Sequence, residues 1–433
     1  MRPYITLLAL PLISSTAIHV QNSHGHAHNF PRHIQGTWYH RDDHHVNALF
    51  KRVGATDGVT YAAIGSDAWV KAYPAGPPES PDPNAMPSEW LAALNDAVAR
   101  KAIPAIPVAT SHPDTGIPTY PAGFDPNGPQ VCSATYGCRI DGDVWDAPNG
   151  HVALSFDDGP LPPTDGLLEF LDTQNGQTVT HFMIGSNIIE QPEQFQKAFN
   201  RGDDIAVHTW THPYMTTKSN EQVVAELGWT IELIHNSTGG RVPRFWRPPY
   251  GDSDVRTSAI AREVFGLTTV IWNQDTADWS LDASPPGTSL HAINASMNTW
   301  LTGSKTPGLI ILEHELSDDS VGAFKAAYPV MQAHGWTLAS LATLLGNGSV
   351  YQNAANDGSA VRLVSDILDA KTAGVPVSSA SASAGATASA GGSVAAGAGA
   401  TASGANLELK DEETQHSAIQ LQQSITGYAP YYF

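Results

Sequence analysis

Between about residues 150 and 345, short apolar runs alternate with longer segments of helical periodicity, and this alternation narrows the fold more than any other feature of the chain. Residues 152–156, 179–184, 205–208, 245–246, 268–272 and 309–312 read as buried strands. Residues 220–236, 253–265, 289–301 and 323–334 read as helices, the first opened by the capping-box pair Ser219 and Gln222. Strands that alternate with helices call for parallel pairing, so the expected class is α/β, built as a barrel or a distorted one. Barrel folds gather their chemistry where strands end.

The strand ends here are rich in polar groups. The run 152–156 leads into Asp157-Asp158-Gly159-Pro160. Adjacent carboxylates at a strand end are costly unless something satisfies them, and a divalent cation can take one and leave the other to accept a proton. Alone, such a pair reads as a surface turn. The run 205–208 ends in His208, with His212 four residues on; imidazoles at that spacing converge on a metal if the loop turns helically. A chain with 18 histidines also produces such spacings by accident. Arg247-Pro248-Pro249-Tyr250-Gly251 follows a third run, its prolines fixing the backbone and its arginine suited to hold a carboxylate. Asp275, Asp278 and Trp279 follow a fourth, and His314 follows Leu312-Glu313. Singly, each reads as an ordinary surface group. Their shared position just beyond predicted strands points to one site.

The flanking regions differ in composition. Arg2 is the only early charge, residues 4–13 are almost wholly apolar, and Ser14, Ser15, Thr16 and Ala17 follow. An apolar core of about ten residues fits a secretory signal and is too short for a bilayer, so residues 1–20 are expected to be a leader. Residues 21–149 form an extension rich in Pro, Gly and His, in which 89–101 is helix-like through Trp90, Leu91, Leu94 and Val98. The histidines from His19 to His45 read as a processed or mobile leader rather than a metal trap. Trp38, Tyr39, Trp69 and Tyr73 read as packing aromatics rather than sugar-stacking ones. Cys132 and Cys138 lack the second pair of a zinc site and read as one disulfide of a secreted chain.

Asn236, Asn294 and Asn347 stand in N-glycosylation triplets. Residues 347–376 continue the chain, 377–405 are a Ser/Ala/Gly/Thr linker that cannot offset its ordering entropy, and 406–433 form a tail expected to be disordered. That tail lacks the hydrophobic end of a GPI signal, and no run reaches the length of a membrane helix. The 22 basic and 42 acidic residues give a formal charge of −20, which argues against a nucleic-acid partner.

Taken in order, SFDDG at 155–159, HTWTH at 208–212, RPPY at 247–250, DTADW at 275–279 and ILEH at 311–314 resemble the five signature motifs of the carbohydrate esterase family 4, or NodB-type, polysaccharide deacetylases. The resemblance covers about residues 149–346; the Cys132–Cys138 segment and the long extension resemble the fungal chitin deacetylases of that family. It implies a distorted (β/α) barrel over residues 150–346 in which Asp158, His208 and His212 hold one divalent metal, zinc or cobalt. Asp157 would be the general base in contact with substrate, oriented by Arg247. His314 would be the general acid, kept protonated by Asp278, with Asp275 in support. The Tyr250 backbone N–H would meet the oxyanion, and Trp279 and Leu312 would line the pocket for the acetyl methyl.

The implied reaction is metal-dependent hydrolysis of N-acetyl groups in chitin to give chitosan and acetate, outside the cell or at its wall. The acidity of the chain is read as solubility, with attraction for cationic chitosan as the alternative. The motifs address the acetyl group, so acetylated xylan and peptidoglycan remain alternative substrates. A non-catalytic chitin-binding wall protein is the third reading. Glu315 departs from the Asp that many family members carry after the last histidine.

Overall fold

The structure, a computed structural model, describes residues 62–361. The leader 1–20, the histidines from His19 to His45, Trp38, Tyr39, the linker 377–405 and the tail 406–433 lie outside the described residues. Eight strands position the site: β1 (His151–Asp157), β2 (Thr180–Met183), β3 (Asp204–Val207), β4 (Phe245–Trp246), β5 (Thr268–Thr269), β6 (Gln274–Asp275), β7 (Ile311–Leu312) and β8 (Thr337–Ser340). β1 is buried along nearly its whole length, as a parallel strand covered on both faces must be.

β1 to β5 pair in parallel in chain order, while β8 pairs with the first half of β1 and β2 with its second half. β6 pairs in parallel with β7, and parallel bridges from Leu309 to Val152 and from His314 to Asp157 bring that segment back to β1. The strands therefore curl into a ring closed by single bridges rather than a full ladder. This is the distorted (β/α) barrel expected of the chain.

Helices α1 (Ser88–Ala99), α2 (Pro163–Thr173), α3 (Gly185–Glu190), α4 (Pro192–Arg201), α5 (Asn220–Ser237), α6 (Val255–Phe265), α7 (Leu290–Thr302), α8 (Asp318–Ala333) and α9 (Leu341–Leu345) accompany them. The capping box predicted at Ser219 and Gln222 is formed in both directions. α8 begins five residues before the predicted start because Ser317 and Ser320 form a second capping box. It continues through Pro329, with Phe324, Ala327, Tyr328 and Met331 buried on one side. α4 lies outside the predicted helices although Phe195, Ala198 and Phe199 stand at helical spacing and face the core. No helix among the described residues is long and apolar enough to cross a membrane.

The described part of the extension packs into the barrel's helices. Trp69 and Trp90 belong to the same buried cluster as Val207, Trp210 and Phe265, and Tyr73 packs against it. Trp69 Nε1 donates to Ser237 Oγ at 3.0 Å, and Trp210 Nε1 donates to the Ala75 carbonyl at 2.9 Å. Cys132 and Cys138 are disulfide-bonded. Their loop docks on the chain after Gly251, with Ala134 N–H donating to Ser253 O and Thr135 Oγ1 to Asp252 Oδ1. Beyond residue 346, Val350, Tyr351 and Ala354 enter a cluster with Phe182 and Phe245. Asn294 and Asn347 are exposed, whereas Asn236 is half-buried, its amide donating to Tyr73 and Glu232.

Trp90 rests on Gly228 of α5 so closely that a Cβ there would lie 2.5 Å from the indole ring. Gly228→Ala is therefore expected to cost about 1–3 kcal/mol by overpacking, and Trp90→Ala about 3–5 kcal/mol. Denaturant unfolding checks the contact through a double-mutant cycle: the Gly228→Ala cost should largely vanish in the Trp90→Ala background. An equal cost in both backgrounds would refute it.

Candidate active site

β1 delivers Asp157 and Asp158 to the barrel mouth, and the chain after β3 delivers His208 and His212. Asp158 adopts a left-handed backbone, as do Thr209, His212 and Tyr250 (φ 70°, 67°, 58° and 58°). Such non-glycine conformations concentrate where surrounding contacts hold strain for function. They turn His208 and His212 toward the same carboxylate: each Nε2 lies 3.1 Å from Asp158 Oδ1. The ligand atoms of these three residues fall within 4.8 Å of one another.

The donor set itself tests whether a cation belongs there. His208 Nδ1 lies 2.7 Å from the Arg247 carbonyl, which can only accept, so Nδ1 carries a proton and Nε2 is the nitrogen left facing Asp158. Asp158 Oδ1 is buried and makes no hydrogen bond despite the two nearby nitrogens. A buried carboxylate oxygen without a hydrogen bond, faced by two imidazole nitrogens, fits a divalent cation held by one carboxylate and two imidazoles, with positions left for water and substrate. Burial alone would raise the Asp158 pKa, but His212 and His208 hold it well below the usual carboxylate range.

Asp157 is nearly inaccessible and is gripped by Arg247, whose Nη1 donates to Oδ1 at 2.6 Å while Nη2 donates to Ser155 Oγ at 3.0 Å. The guanidinium lies 4.3 Å from the centre of the Phe182 ring. On the other side, Asp278 accepts from the His314 N–H at 2.8 Å and meets His314 Nδ1 at 2.6 Å. Burial opposes the His314 imidazolium, yet Asp278, Asp158 and Asp157 outweigh it and raise its pKa to about 10. His314 Nε2 lies 4.0 Å from Asp158 Oδ2, which places a proton donor beside the metal trio.

Tyr250 stacks on Tyr214 at 4.1 Å and meets His212 edge-on at 4.6 Å. Leu312 is buried, and Trp279 is half-buried with its indole nitrogen enclosed and unpaired. Asp275 is exposed and accepts from Ala277 N–H at 2.7 Å. Among the described residues no hydrogen bond joins it to the metal trio, Asp157 or His314, but burial of its carboxyl and the nearby Asp278 raise its pKa to about 6 against the pull of the Ala277 N–H and His314.

Three further side chains support the site, and of these Asn187 lies outside the five motifs. Ser155 shares Arg247, Asn187 donates to the Asp158 carbonyl at 2.9 Å, and Thr276 Oγ1 ties the turn to the Leu312 carbonyl at 2.8 Å. A buried ionic group also lies behind the site. His181 Nδ1 is 3.0 Å from Glu315 Oε1, and its Nε2 is 3.6 Å from Asp203 Oδ2. Burial disfavours the charged ring, but Glu315 and Asp203 raise its pKa from 6.5 to about 10. A charged residue inside a strand carries no sequence signal that it is buried.

Residues 146–270 match the family described as polysaccharide deacetylase. The chain is 42% identical over 308 residues to chitin deacetylase 3 of Cryptococcus neoformans var. neoformans serotype D, covering 71% of this chain and 72% of that one. It is 33% identical over 309 residues to chitin deacetylase 1 of Cryptococcus neoformans var. grubii serotype A, covering 68% and 63%. A solved structure of the chitin deacetylase from the fungal pathogen Colletotrichum lindemuthianum is similar over 48% of this chain and 94% of that one, with 23% identity and a TM-score of 0.43.

Zinc titration of chelator-stripped protein is expected to show one tight site. Asp158→Asn, His208→Ala or His212→Ala should each weaken it by more than the roughly 10- to 100-fold typical of losing an outer partner; unchanged affinity would remove these residues from the site. A second expectation concerns pH. With its folded pKa raised from 6.5 to about 10, the His181 contribution to stability is complete below about pH 6.5 and is lost as pH climbs toward 10. The urea midpoint should therefore fall more steeply between pH 7 and 10 in the natural protein than in His181→Gln, and parallel profiles would contradict it.

Proposed function

The chain belongs to the polysaccharide deacetylases of carbohydrate esterase family 4, and from that membership we propose that it hydrolyses the N-acetyl groups of N-acetylglucosamine residues in chitin, releasing acetate and leaving chitosan. One observation carries the catalytic reading: a fitting metal trio, Asp158, His208 and His212, stands between an arginine-held carboxylate and a carboxylate-held histidine. The substrate reading is supported by relatives named chitin deacetylases, three of which align with more than two thirds of this chain.

Asp158, His208 and His212 would hold zinc or cobalt, both compatible with one carboxylate and two imidazoles. When bound, the ion lowers the pKa of water and polarises the acetamide carbonyl. Arg247 occupies Asp157 Oδ1 and fixes the carboxylate, so Oδ2 is the oxygen that takes the proton of the attacking water. The left-handed turn at Tyr250 presents its backbone N–H as an oxyanion donor. His314, charged through Asp278, returns a proton to the sugar nitrogen, which otherwise leaves poorly. Leu312 and Trp279 enclose the acetyl methyl.

The same reading places the catalytic domain at residues 150–346 behind a secretory leader, with the enzyme exported or held at the cell wall. The acidic chain would favour solubility and tolerate a cationic product. Asn294 and Asn347 are the accessible candidates for glycosylation; at Asn236 a glycan would displace the hydrogen bonds to Tyr73 and Glu232.

Acetate release from a chitin oligomer is the test. Activity should vanish on chelation and return with zinc or cobalt, and Asp157→Asn or His314→Ala should lower kcat by about 10²- to 10⁴-fold each. Silence from metal-replete protein on chitin, with release from acetylated xylan or peptidoglycan, would move the substrate. Equal rates in Asp157→Asn would abandon the site.

A further inference from the structure

The strand bearing His314 is tied to the strand bearing Asp157 on both sides of the histidine: Asp157 N–H donates to the Glu313 carbonyl at 3.0 Å, and Glu315 N–H donates to the Asp157 carbonyl at 3.2 Å. The Glu315 side chain then runs against the Asp157–Gly159 turn. A Cβ on Gly159 would lie 1.7 Å from Glu315 Oε1, so only glycine leaves room for that carboxylate. From there Glu315 reaches His181 Nδ1 on β2 at 3.0 Å. Beyond His181 stands Asp203 at 3.6 Å, and Asp203 is gripped by Arg201 at 2.6 Å, which also pairs with Asp172 at 2.7 Å.

The side chains of Glu315, His181 and Asp203 are wholly buried. Apolar residues of similar volume often serve a core as well as a buried ion pair does, because desolvation offsets the Coulombic gain. Stability alone is therefore a weak reason for this group. Its placement supplies a stronger one. Glu315 is the one member that contacts the turn carrying Asp157 and Asp158 and is also adjacent in sequence to His314.

We propose that Glu315, anchored by His181, is a positioning residue that sets the spacing between the Asp157–Gly159 turn and His314. The inference rests on the reading of Asp157 as base and His314 as acid. A misplacement of about 1 Å in a reacting geometry can cost roughly 10²-fold in rate, so the effect belongs in kcat. Neither Glu315 nor His181 touches the metal trio or the acetyl pocket directly, so KM should be spared, while zinc affinity, through Asp158 in the same turn, should fall no more than the about 10- to 100-fold typical of losing an outer partner.

The experiment measures kcat and KM on one chitin oligomer, zinc affinity and thermal unfolding for Glu315→Gln, His181→Gln and the double variant. Each single variant is expected to lose about 10- to 100-fold in kcat at saturating zinc, with KM within about threefold of the natural protein. The double variant replaces the ion pair with a neutral amide pair of similar reach, and should recover much of that kcat. Folded single variants with kcat within twofold of the natural protein overturn the proposal. So do losses that simply add in the double variant and track the fall in unfolding temperature.

If the single variants do not fold, Gly159→Ala and Gly159→Ala/Glu315→Ala decide. The double relieves the clash without restoring the pair, so its unfolding temperature should recover while kcat stays low. Recovery of both overturns the positioning role, as does failure of every variant to fold, which would make the pair a folding determinant. An inactive natural protein strikes the proposed function instead; an active one with fully active variants strikes only this inference.

Discussion

Arg247 joins more of the barrel than any other side chain at its mouth. Its guanidinium reaches Asp157 and Ser155 on β1 and lies over Phe182 of β2. Its backbone N–H donates to the Val207 carbonyl of β3, and its own carbonyl accepts from His208. Four consecutive strands thus meet on one fully buried cation. A charge so placed is tolerable only with well-formed partners, because an isolated ion in a low-dielectric interior costs several kcal/mol. That requirement makes Arg247 both a fastener of the fold and the device that orders the site: the carboxylate it needs is the proposed base, and the ring its carbonyl orients is a proposed metal ligand.

The opposite wall follows the same logic with the signs exchanged. Asp278 is buried and takes two hydrogen bonds from one residue, the His314 backbone and ring, so the imidazole is fixed in position and held charged. Between the two walls lies Asp158, kept ionised by the imidazoles facing it. The site therefore sorts three carboxylates of similar intrinsic acidity into different tasks by what each one touches. Asp157 faces an arginine, Asp158 faces two imidazoles, and Asp278 faces a proton donor.

The barrel is closed by single bridges, so its mouth depends on supports outside the ladder. The extension braces α5 through Trp90 and Gly228, and the disulfide loop docks on Asp252 and Ser253, just past the turn that carries Tyr250. Thr216 also donates to Asp252, from the chain that follows His212. One buried carboxylate thus holds together the extension, the metal-ligand loop and the RPPY turn. These are long-range contacts, and the left-handed residues of the site persist because such contacts hold them.

Much of this was legible in the residues themselves. Central parallel strands are buried on both faces, so 152–156, 179–184 and 205–208 stand out as continuous apolar runs, and each marks the strand end where polar groups gather. The box at Ser219 and Gln222 is local chemistry and needs no fold to be seen. β8 and the start of α8 were not legible, because their apolar content is sparse or their signal is a serine pair. Sequence order placed Asp157, His208, Arg247, Asp278 and His314 at strand ends. Only the tertiary structure decided which of them meet and buried His181, Glu315 and Asp203 together. The reason is physical: periodicity records which face of an element avoids water, whereas the partner of a buried charge is set by neighbours distant in the chain.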